Sequence, residues 1–242
     1  MATGIVDYEL PDTTHNLYDV TLDTHKIHTL LTHTPSMVDS WISDTLQLHH
    51  HHPTTTHNNN DNNNDNNNNN NNNSNDNNDN NTNPLMVGLD IEWRPNFNPQ
   101  IDNPIATLQL CVADRCLIFQ ILHSPSIPNS LIDFLGNRTC AFVGVGIQHD
   151  VEKLLLDYGL GVANVVDIGA LAATKLGKRE LRSSGLKSLA KEVLGIEVEK
   201  PKRVTLSRWD NEWLTCVQVQ YACIDAFLSF EIGKHLNAAS GV

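Results

Sequence analysis

Two carboxylates stand two residues apart in the segment "VGLDIEW", residues 87–93. The apolar residues of this segment alternate with Gly88, Asp90 and Glu92, which predicts a half-buried strand with both carboxylates on one face. Two like charges at this spacing raise each other's pKa and are unfavourable unless a cation joins them. The pair therefore indicates either a cation site or the solvent face of an edge strand.

Three further residues extend this set. Asp150 follows "FVGVGIQH", where an apolar strand with two glycines leads into a predicted helix over 150–159. Tyr221 and Asp225 are four residues apart in the last predicted helix, so they share one helix face. Taken singly, Asp150 would stabilise a helix N-terminus, Tyr221 would be a core aromatic and Asp225 a surface charge. Their joint occurrence on these elements favours one shared site.

Three segments carry a family resemblance: "DIEW" (90–93), "FVGVGIQHDVEKLL" (142–155) and "YACIDAF" (221–227). They resemble the three motifs of the DEDD exonuclease superfamily, in the subgroup with a tyrosine in the third motif. Residues 86–236 resemble in particular the Werner-syndrome-type 3′–5′ exonuclease domain, here without a helicase. The segment "SRW" resembles a Ser-x-Trp element of that family, although Arg208 stands where the family more often has a small polar residue.

The resemblance implies a metal-dependent 3′–5′ exonuclease that acts on single-stranded or recessed 3′ ends with two divalent cations, Mg²⁺ or Mn²⁺. Carboxylate oxygens are ligands that suit these hard cations. By the same resemblance, Asp90 would bridge both ions and Glu92 and Asp225 would complete one site. Asp150 would hold the second ion through water, and Tyr221 would orient the attacking water. The alternative is a protein of the same fold with weak catalysis that binds nucleic acid or serves as a scaffold.

The charge distribution bears on the nucleic-acid partner. The formal net charge is −12, but residues 1–83 hold eleven acidic residues and one basic residue. Residues 165–208 are locally basic, and only the local field over a site attracts a polyanion. The candidate phosphate contacts are Lys175, Lys178, Arg179, Arg182 and Lys187, together with "KPKR" at 200–203. The alternative for these residues is a solvated helix face.

Two tryptophans near the third motif have two interpretations. Trp209 or Trp213 would stack a terminal base, or both would pack under the last helix. The pattern favours packing.

Alternating and helical patterns predict the order of elements. Strands are expected at 17–22, 26–32, 86–93, 105–113, 116–121, 140–146 and 164–169, and helices at 36–47, 130–136, 150–159, 168–176, 184–194 and 216–236. Asp114 and Arg115 indicate a tight turn, and Thr215 with Gln218 indicates a capping box. The order predicts an α/β fold, a mixed sheet of three antiparallel strands with parallel additions, flanked by helices. The resemblance implies that this is the ribonuclease-H-like fold.

Composition divides the chain into three parts. Residues 49–83 are rich in His and Asn and are predicted to be a disordered insertion or, alternatively, a partner-binding or condensate-forming module. Residues 1–48 are expected to be a hairpin and helix of the domain whose catalytic core is 84–238. The five cysteines form no C-x-x-C pair, and no apolar run reaches the roughly 18 residues of a membrane span. We therefore expect an intracellular protein of the nucleus or cytoplasm, without a membrane partner.

Overall fold

The computed structural model describes residues 2–11, 13–51, 84–96, 98, 100 and 102–238. In these residues eight strands join one sheet. They are β1 (Thr3–Asp7), β2 (His15–Leu22), β3 (His25–Thr32), β4 (Leu85–Trp93), β5 (Ile105–Val112), β6 (Arg115–Phe119), β7 (Cys140–Gly144) and β8 (Val165–Asp167).

The sheet is mixed, with strand order β1-β2-β3-β6-β5-β4-β7-β8. Strands β4, β5 and β6 form the predicted antiparallel meander. Strand β7 pairs in parallel with β4, and β8 pairs in parallel with β7. The N-terminal hairpin continues the same sheet, because β3 pairs in parallel with β6. The predicted α/β class with a mixed sheet is confirmed.

The α-helices of the described residues are α1 (Pro35–His51), α2 (Asn129–Leu135), α3 (Ile147–Tyr158), α4 (Ile168–Lys175), α5 (Leu186–Leu189), α6 (Lys202–Thr205) and α7 (Cys216–His235). Short 3₁₀ segments lie at Ile121–His123 and Arg179–Ser183, and α5 continues into a π-helical turn at Ala190–Leu194. Helix α7 begins after the predicted capping box, in which Thr215 and Gln218 each bond the other's backbone N–H.

Helices cover both faces of the sheet. Successive strand residues point to opposite faces, so one strand contributes side chains to both apolar layers. On β6, Cys116 and Ile118 belong to a core shared with α4, α5 and α7. Leu117 and Phe119 belong to a second core shared with α1, α2 and α3. The helices on the two faces therefore fix the sheet between two apolar layers.

Several boundaries differ from the predicted ones. Helix α3 begins at Ile147, three residues earlier than expected, because Gly146 adopts a φ of +66° that turns the chain directly from strand to helix. The turn between β5 and β6 consists of Ala113 and Asp114, and Arg115 already pairs with Val112. Strand β1 was not predicted, since all five of its residues are exposed or half-buried and show no apolar alternation.

The predicted division into 1–48, 49–83 and 84–238 remains a prediction. Helix α1 extends to His51, so the first three residues of the predicted disordered segment are helical. The rest of that segment, from residue 52 to residue 83, lies outside the described residues.

Candidate active site

Three of the predicted carboxylates converge where β4 meets α7. Asp90 and Glu92 lie on β4, and Asp225 lies on α7. One oxygen of each can be chosen so that all three lie within 4.8 Å of one another. Asp225 is buried, while Asp90 and Glu92 are half-buried. The helix and the strand thus place three oxygen ligands around one point, as a hard divalent cation requires.

Strand β4 and helix α7 meet through a glycine. A Cβ atom on Gly88 would lie 2.1 Å from the carbonyl oxygen of Ala226 and 2.8 Å from the backbone nitrogen of Phe230. Any larger residue would push the helix away from the strand. Because Gly88 precedes Asp90 by two residues and Ala226 follows Asp225 by one, this close packing sets the separation of the carboxylates.

Simultaneous ionisation of these carboxyl groups is unfavourable, and the pKa of each is raised. Burial raises the pKa of Asp90 well above its usual value, and the charges of Asp225 and Asp150 add to this shift. Burial likewise raises the pKa of Glu92 well above its usual value, with Asp90 and Asp225 acting in the same direction. The pKa of Asp225 is also raised by burial, although Lys200 opposes that shift. A cation would reverse this cost, which is the property expected of a metal site.

Asp150 lies in the first turn of α3, outside the group of three but close enough to raise the pKa of Asp90. Its own pKa is raised to about 7 by burial and by the charge of Asp167. Asp167 ends β8 and accepts hydrogen bonds from the backbone N–H groups of Gly146 and Ala170, both at 2.7 Å. It therefore fixes the beginnings of α3 and α4 and, through α3, the position of Asp150.

Tyr221 lies one turn before Asp225 on α7. Its hydroxyl oxygen accepts a hydrogen bond from Thr205 Oγ1 at 3.2 Å. Burial and the charge of Asp225 raise the pKa of Tyr221 to about 12, so the phenol keeps its proton at neutral pH. The structure thus brings all five predicted catalytic positions to the same end of β4 and the adjoining helices.

Lys200 joins the same cluster, although the basic character of its segment, 200–203, predicts only nucleic-acid binding. Its Nζ lies 2.6 Å from Asp225 Oδ2 and 5.0 Å from the centre of the Tyr221 ring. Burial works to lower the pKa of Lys200, but Asp225, Tyr221 and Asp90 raise it overall. The available signal was electrostatic, since an acidic pair on a strand needs a cation nearby.

The five candidate nucleic-acid contacts are exposed and extend from the last residue of α4 into α5. Two of them form ion pairs, Lys178 with Glu192 and Lys187 with Glu199.

The 3₁₀ segment that contains Arg179 and Arg182 packs against α4. A Cβ on Gly169 would lie 3.2 Å from the Arg182 carbonyl oxygen. Gly169 is near the beginning of α4, so this basic segment returns toward the Asp167 side of the site.

The two tryptophans behave differently. Trp209 is buried, donates from Nε1 to the Thr205 carbonyl and lies with its ring centre 5.9 Å from that of Tyr221. The favoured packing interpretation is therefore confirmed for Trp209. It is wrong for Trp213, which is 72% exposed.

The loop 209–214 is held by Gln120, whose side-chain amide donates to the backbone carbonyls of Asn211 and Glu212. This anchoring leaves Trp213 outside the core.

The comparisons with known proteins identify the family of the chain. The family model for 3′–5′ exonucleases matches residues 68–239. An Arabidopsis thaliana protein named 3′–5′ exonuclease is 39% identical over 153 residues, covering 62% of this chain and 52% of that protein. The mouse bifunctional 3′–5′ exonuclease/ATP-dependent helicase WRN is 36% identical over 153 residues, covering 63% of this chain and 11% of that protein.

The solved structure of Brucella melitensis NrnC has a TM-score of 0.55 and 19% identity, and the match covers 65% of this chain and 74% of that one. This likeness concerns the fold and agrees with the ribonuclease-H-like class. The chain belongs to the 3′–5′ exonuclease family, so the resemblance drawn from the three motifs is confirmed. It spans about half the length of the Arabidopsis relative and a smaller share of the mouse protein. Among the helices of the described residues, none has the length and apolar character needed to cross a membrane.

Proposed function

We propose that this protein is a metal-dependent 3′–5′ exonuclease that hydrolyses phosphodiester bonds at the 3′ ends of nucleic acids. One observation carries the proposal: carboxylates from β4 and α7 lie within 4.8 Å of one another in a chain of the 3′–5′ exonuclease family. Asp150 stands beside this group and Tyr221 one turn from Asp225. The same five positions would carry the reaction.

The donor set fits Mg²⁺ or Mn²⁺, because the converging ligands are carboxylate oxygens without sulfur or imidazole. Gln109 supports this fit. It is paired with Asp90 on the adjacent strand β5, and its buried Oε1 has no hydrogen-bond partner within the described residues. Such an oxygen suits the hydration shell of an ion. Asp90, Glu92 and Asp225 would hold one cation, and Asp90 with Asp150 the second. When bound, two such ions supply charge neutralisation at the attacking and leaving oxygens.

The protein's own groups have separate tasks. Tyr221 would orient the attacking water, because Thr205 donates to its oxygen and leaves the phenol proton for another acceptor. A phenol with a pKa of about 12 is a poor base at neutral pH, so its task is positioning and donation. Asp167 would hold Asp150 in place through its bond to the N–H of Gly146.

The substrate would be a single-stranded or recessed 3′ end. Arg179 and Arg182 support a nucleic-acid substrate, because they are exposed on the segment that packs against the beginning of α4. Lys175, Lys178 and Lys187 would add charge along the same path. Contacts of this kind bind phosphates without reading the base sequence.

Digestion of a 5′-labelled oligonucleotide tests the function. We expect a ladder of products that shorten from the 3′ end when Mg²⁺ or Mn²⁺ is added, and none in EDTA. Asp90→Ala should abolish the ladder, whereas Asp133→Ala should leave it intact, since Asp133 is exposed on α2. A ladder that survives Asp90→Ala would contradict the assignment. Matched DNA, RNA and recessed duplexes identify the preferred substrate.

We also propose that the protein works inside the cell, in the nucleus or the cytoplasm. All five cysteines are free thiols, and four of them are buried. Free thiols are typical of a reducing compartment. Imaging of a tagged full-length protein tests this, and a secreted product would contradict it.

A further inference from the structure

Lys200 is a basic residue in contact with the carboxylate cluster. It precedes α6, and its side chain is 28% exposed, while that of Asp225 is 5% exposed. The ammonium bonds Asp225 at 2.6 Å and lies over the ring of Tyr221. These two contacts hold the positive charge at the inner side of the site.

The charge of Lys200 acts on the whole cluster. The ammonium works to lower the pKa of Asp90, Glu92 and Asp225 together. A divalent cation coordinated by the same carboxylates would act in the same way. Every positive charge added to this cluster is repelled by those already there. While the 2.6 Å ion pair is intact, Asp225 Oδ2 is occupied by the Lys200 ammonium, so Lys200 and a metal ion compete for that oxygen.

The surroundings of Lys200 give its side chain room to move. A cavity of about 340 Å³ adjoins the site and is lined by Lys200, Arg203, Val204, Tyr221 and Asp225, among others. A lysine side chain is flexible, so its ammonium can leave Asp225 and stay in this cavity. Displacement then costs the 2.6 Å ion pair without unfolding the segment.

We propose that Lys200 is a built-in counter-ion that competes with the divalent cation for Asp225. It stabilises the carboxylate cluster when no metal is bound, and it lowers the affinity for metal. This inference rests on the proposed function, since it takes Asp225 as a metal ligand. It adds a regulatory property, namely that the metal concentration needed for activity depends on one lysine.

The test compares two substitutions of Lys200 with one control. Lys200→Met removes the charge and keeps the length of the side chain, whereas Lys200→Arg keeps the charge. Lys234→Met is the control, because Lys234 also pairs with a carboxylate of α7, that of Glu231 at 3.3 Å, but its own side chain is 63% exposed. Binding of Mn²⁺ by the full-length protein is measured by calorimetry. The heat from sites elsewhere, including the His run, is taken from Asp90→Ala.

We expect Lys200→Met to bind Mn²⁺ about tenfold more tightly, the change that corresponds to roughly 1.4 kcal/mol. Lys200→Arg and Lys234→Met should bind like the unmodified protein. In EDTA, Lys200→Met should unfold at a lower temperature than Lys234→Met, and Mn²⁺ should raise its unfolding temperature by more. This second readout requires no enzymatic activity and shows whether the variant is folded.

Equal or weaker Mn²⁺ binding by Lys200→Met, with the unmodified protein binding Mn²⁺ and digesting the oligonucleotide, would overturn the inference alone. Tighter binding by Lys200→Arg as well would also overturn it, because charge would not be the cause. Tighter binding by Lys200→Met in a protein that digests nothing would support the inference and contradict the proposed function.

Discussion

Gly88 on β4 and Ala226 on α7 approach so closely that a Cβ on the glycine would lie 2.1 Å from the alanine carbonyl oxygen. This contact is between backbones, so a flexible side chain cannot relieve it. Gly88 lies two residues before Asp90, and Ala226 directly follows Asp225. The spacing of the proposed metal ligands therefore depends on the absence of a side chain at position 88.

Gly88→Ala should reduce both stability and activity. The added methyl group must displace α7 from β4, and overpacking of this kind costs about 1–3 kcal/mol in the free energy of unfolding. Because the displacement separates Asp225 from Asp90, we expect Mn²⁺ affinity to fall as well. Urea denaturation measures the first effect and calorimetric titration the second.

Gly4→Ala is the matched control, since Gly4 also lies in a strand and the nearest atom to its Cβ would be 3.9 Å away, in ordinary contact. It should leave metal affinity unchanged. If Gly88→Ala bound Mn²⁺ as tightly as Gly4→Ala, the packing of β4 on α7 would not determine the site.

Much of the fold could be predicted, because its signals are local. The meander β4–β6 shows in the alternation of apolar residues, and the beginning of α7 shows in Thr215 and Gln218. Strand β1 could not be predicted, since it pairs with β2 through backbone hydrogen bonds and none of its five residues is buried. The parallel pairing of β3 with β6 joins segments more than 80 residues apart in the chain, and patterns within a segment contain no such information.

The site divides in the same way. Asp90, Glu92, Asp150, Tyr221 and Asp225 lie on regular elements in recognisable motifs, and the structure brings them together. Lys200, Thr205 and Asp167 act through contacts that only the folded chain creates. Lys200 reaches Asp225 from an irregular segment, and Thr205 reaches Tyr221 from a four-residue helix. Their residue types are common, so spacing alone does not distinguish them from surface residues.

Tyr221→Phe should lower kcat and leave metal binding intact. The substitution removes the hydroxyl that accepts from Thr205 and keeps the ring that packs on Trp209. Positioned proton-transfer groups contribute roughly 10²–10⁴-fold, and we expect a loss of about 10²-fold in kcat. Single-turnover kinetics and Mn²⁺ titration separate the two effects. Tyr8→Phe, which removes a hydroxyl bonded to Asp19 on the N-terminal hairpin, should retain full kcat. A comparable loss in both variants would indicate a general effect of stability.

The free energy of unfolding in EDTA should depend on Asp150. The pKa of Asp150 is raised to about 7 in the folded protein, by burial and by Asp167, whereas an unfolded Asp ionises near pH 4. Between these values the folded protein holds a proton that the unfolded chain has lost. The contribution of Asp150 is therefore present at low pH and is lost as the pH rises through about 7.

Urea denaturation in EDTA at several pH values between about 4 and 8 measures this contribution. Asp150→Asn should be less sensitive to the rise in pH than the unmodified protein, because an amide does not ionise. The difference between the two proteins reports Asp150 together with its effect on the pKa of Asp90. It removes the contributions of Asp19, Asp102 and Asp210, whose pKa values are lowered by their partners. Identical pH dependence in both proteins would be evidence against the raised pKa.

Arg179 and Arg182 should contribute to binding through charge alone. Each phosphate that a basic residue neutralises releases counter-ions, so each contact on a single strand makes the slope of log K against log salt more negative by about 0.7. We expect Arg179→Ala and Arg182→Ala each to make this slope less steep by about the same amount, measured by fluorescence anisotropy in EDTA.

Lys178→Ala and Lys187→Ala should change the slope less, because these lysines already pair with Glu192 and Glu199. Arg138→Ala is the control, since Arg138 is exposed before β7 begins, at the end of the sheet away from Asp90. An equal change of slope in Arg138→Ala would show that the overall charge of the protein, and not the segment between α4 and α5, determines binding.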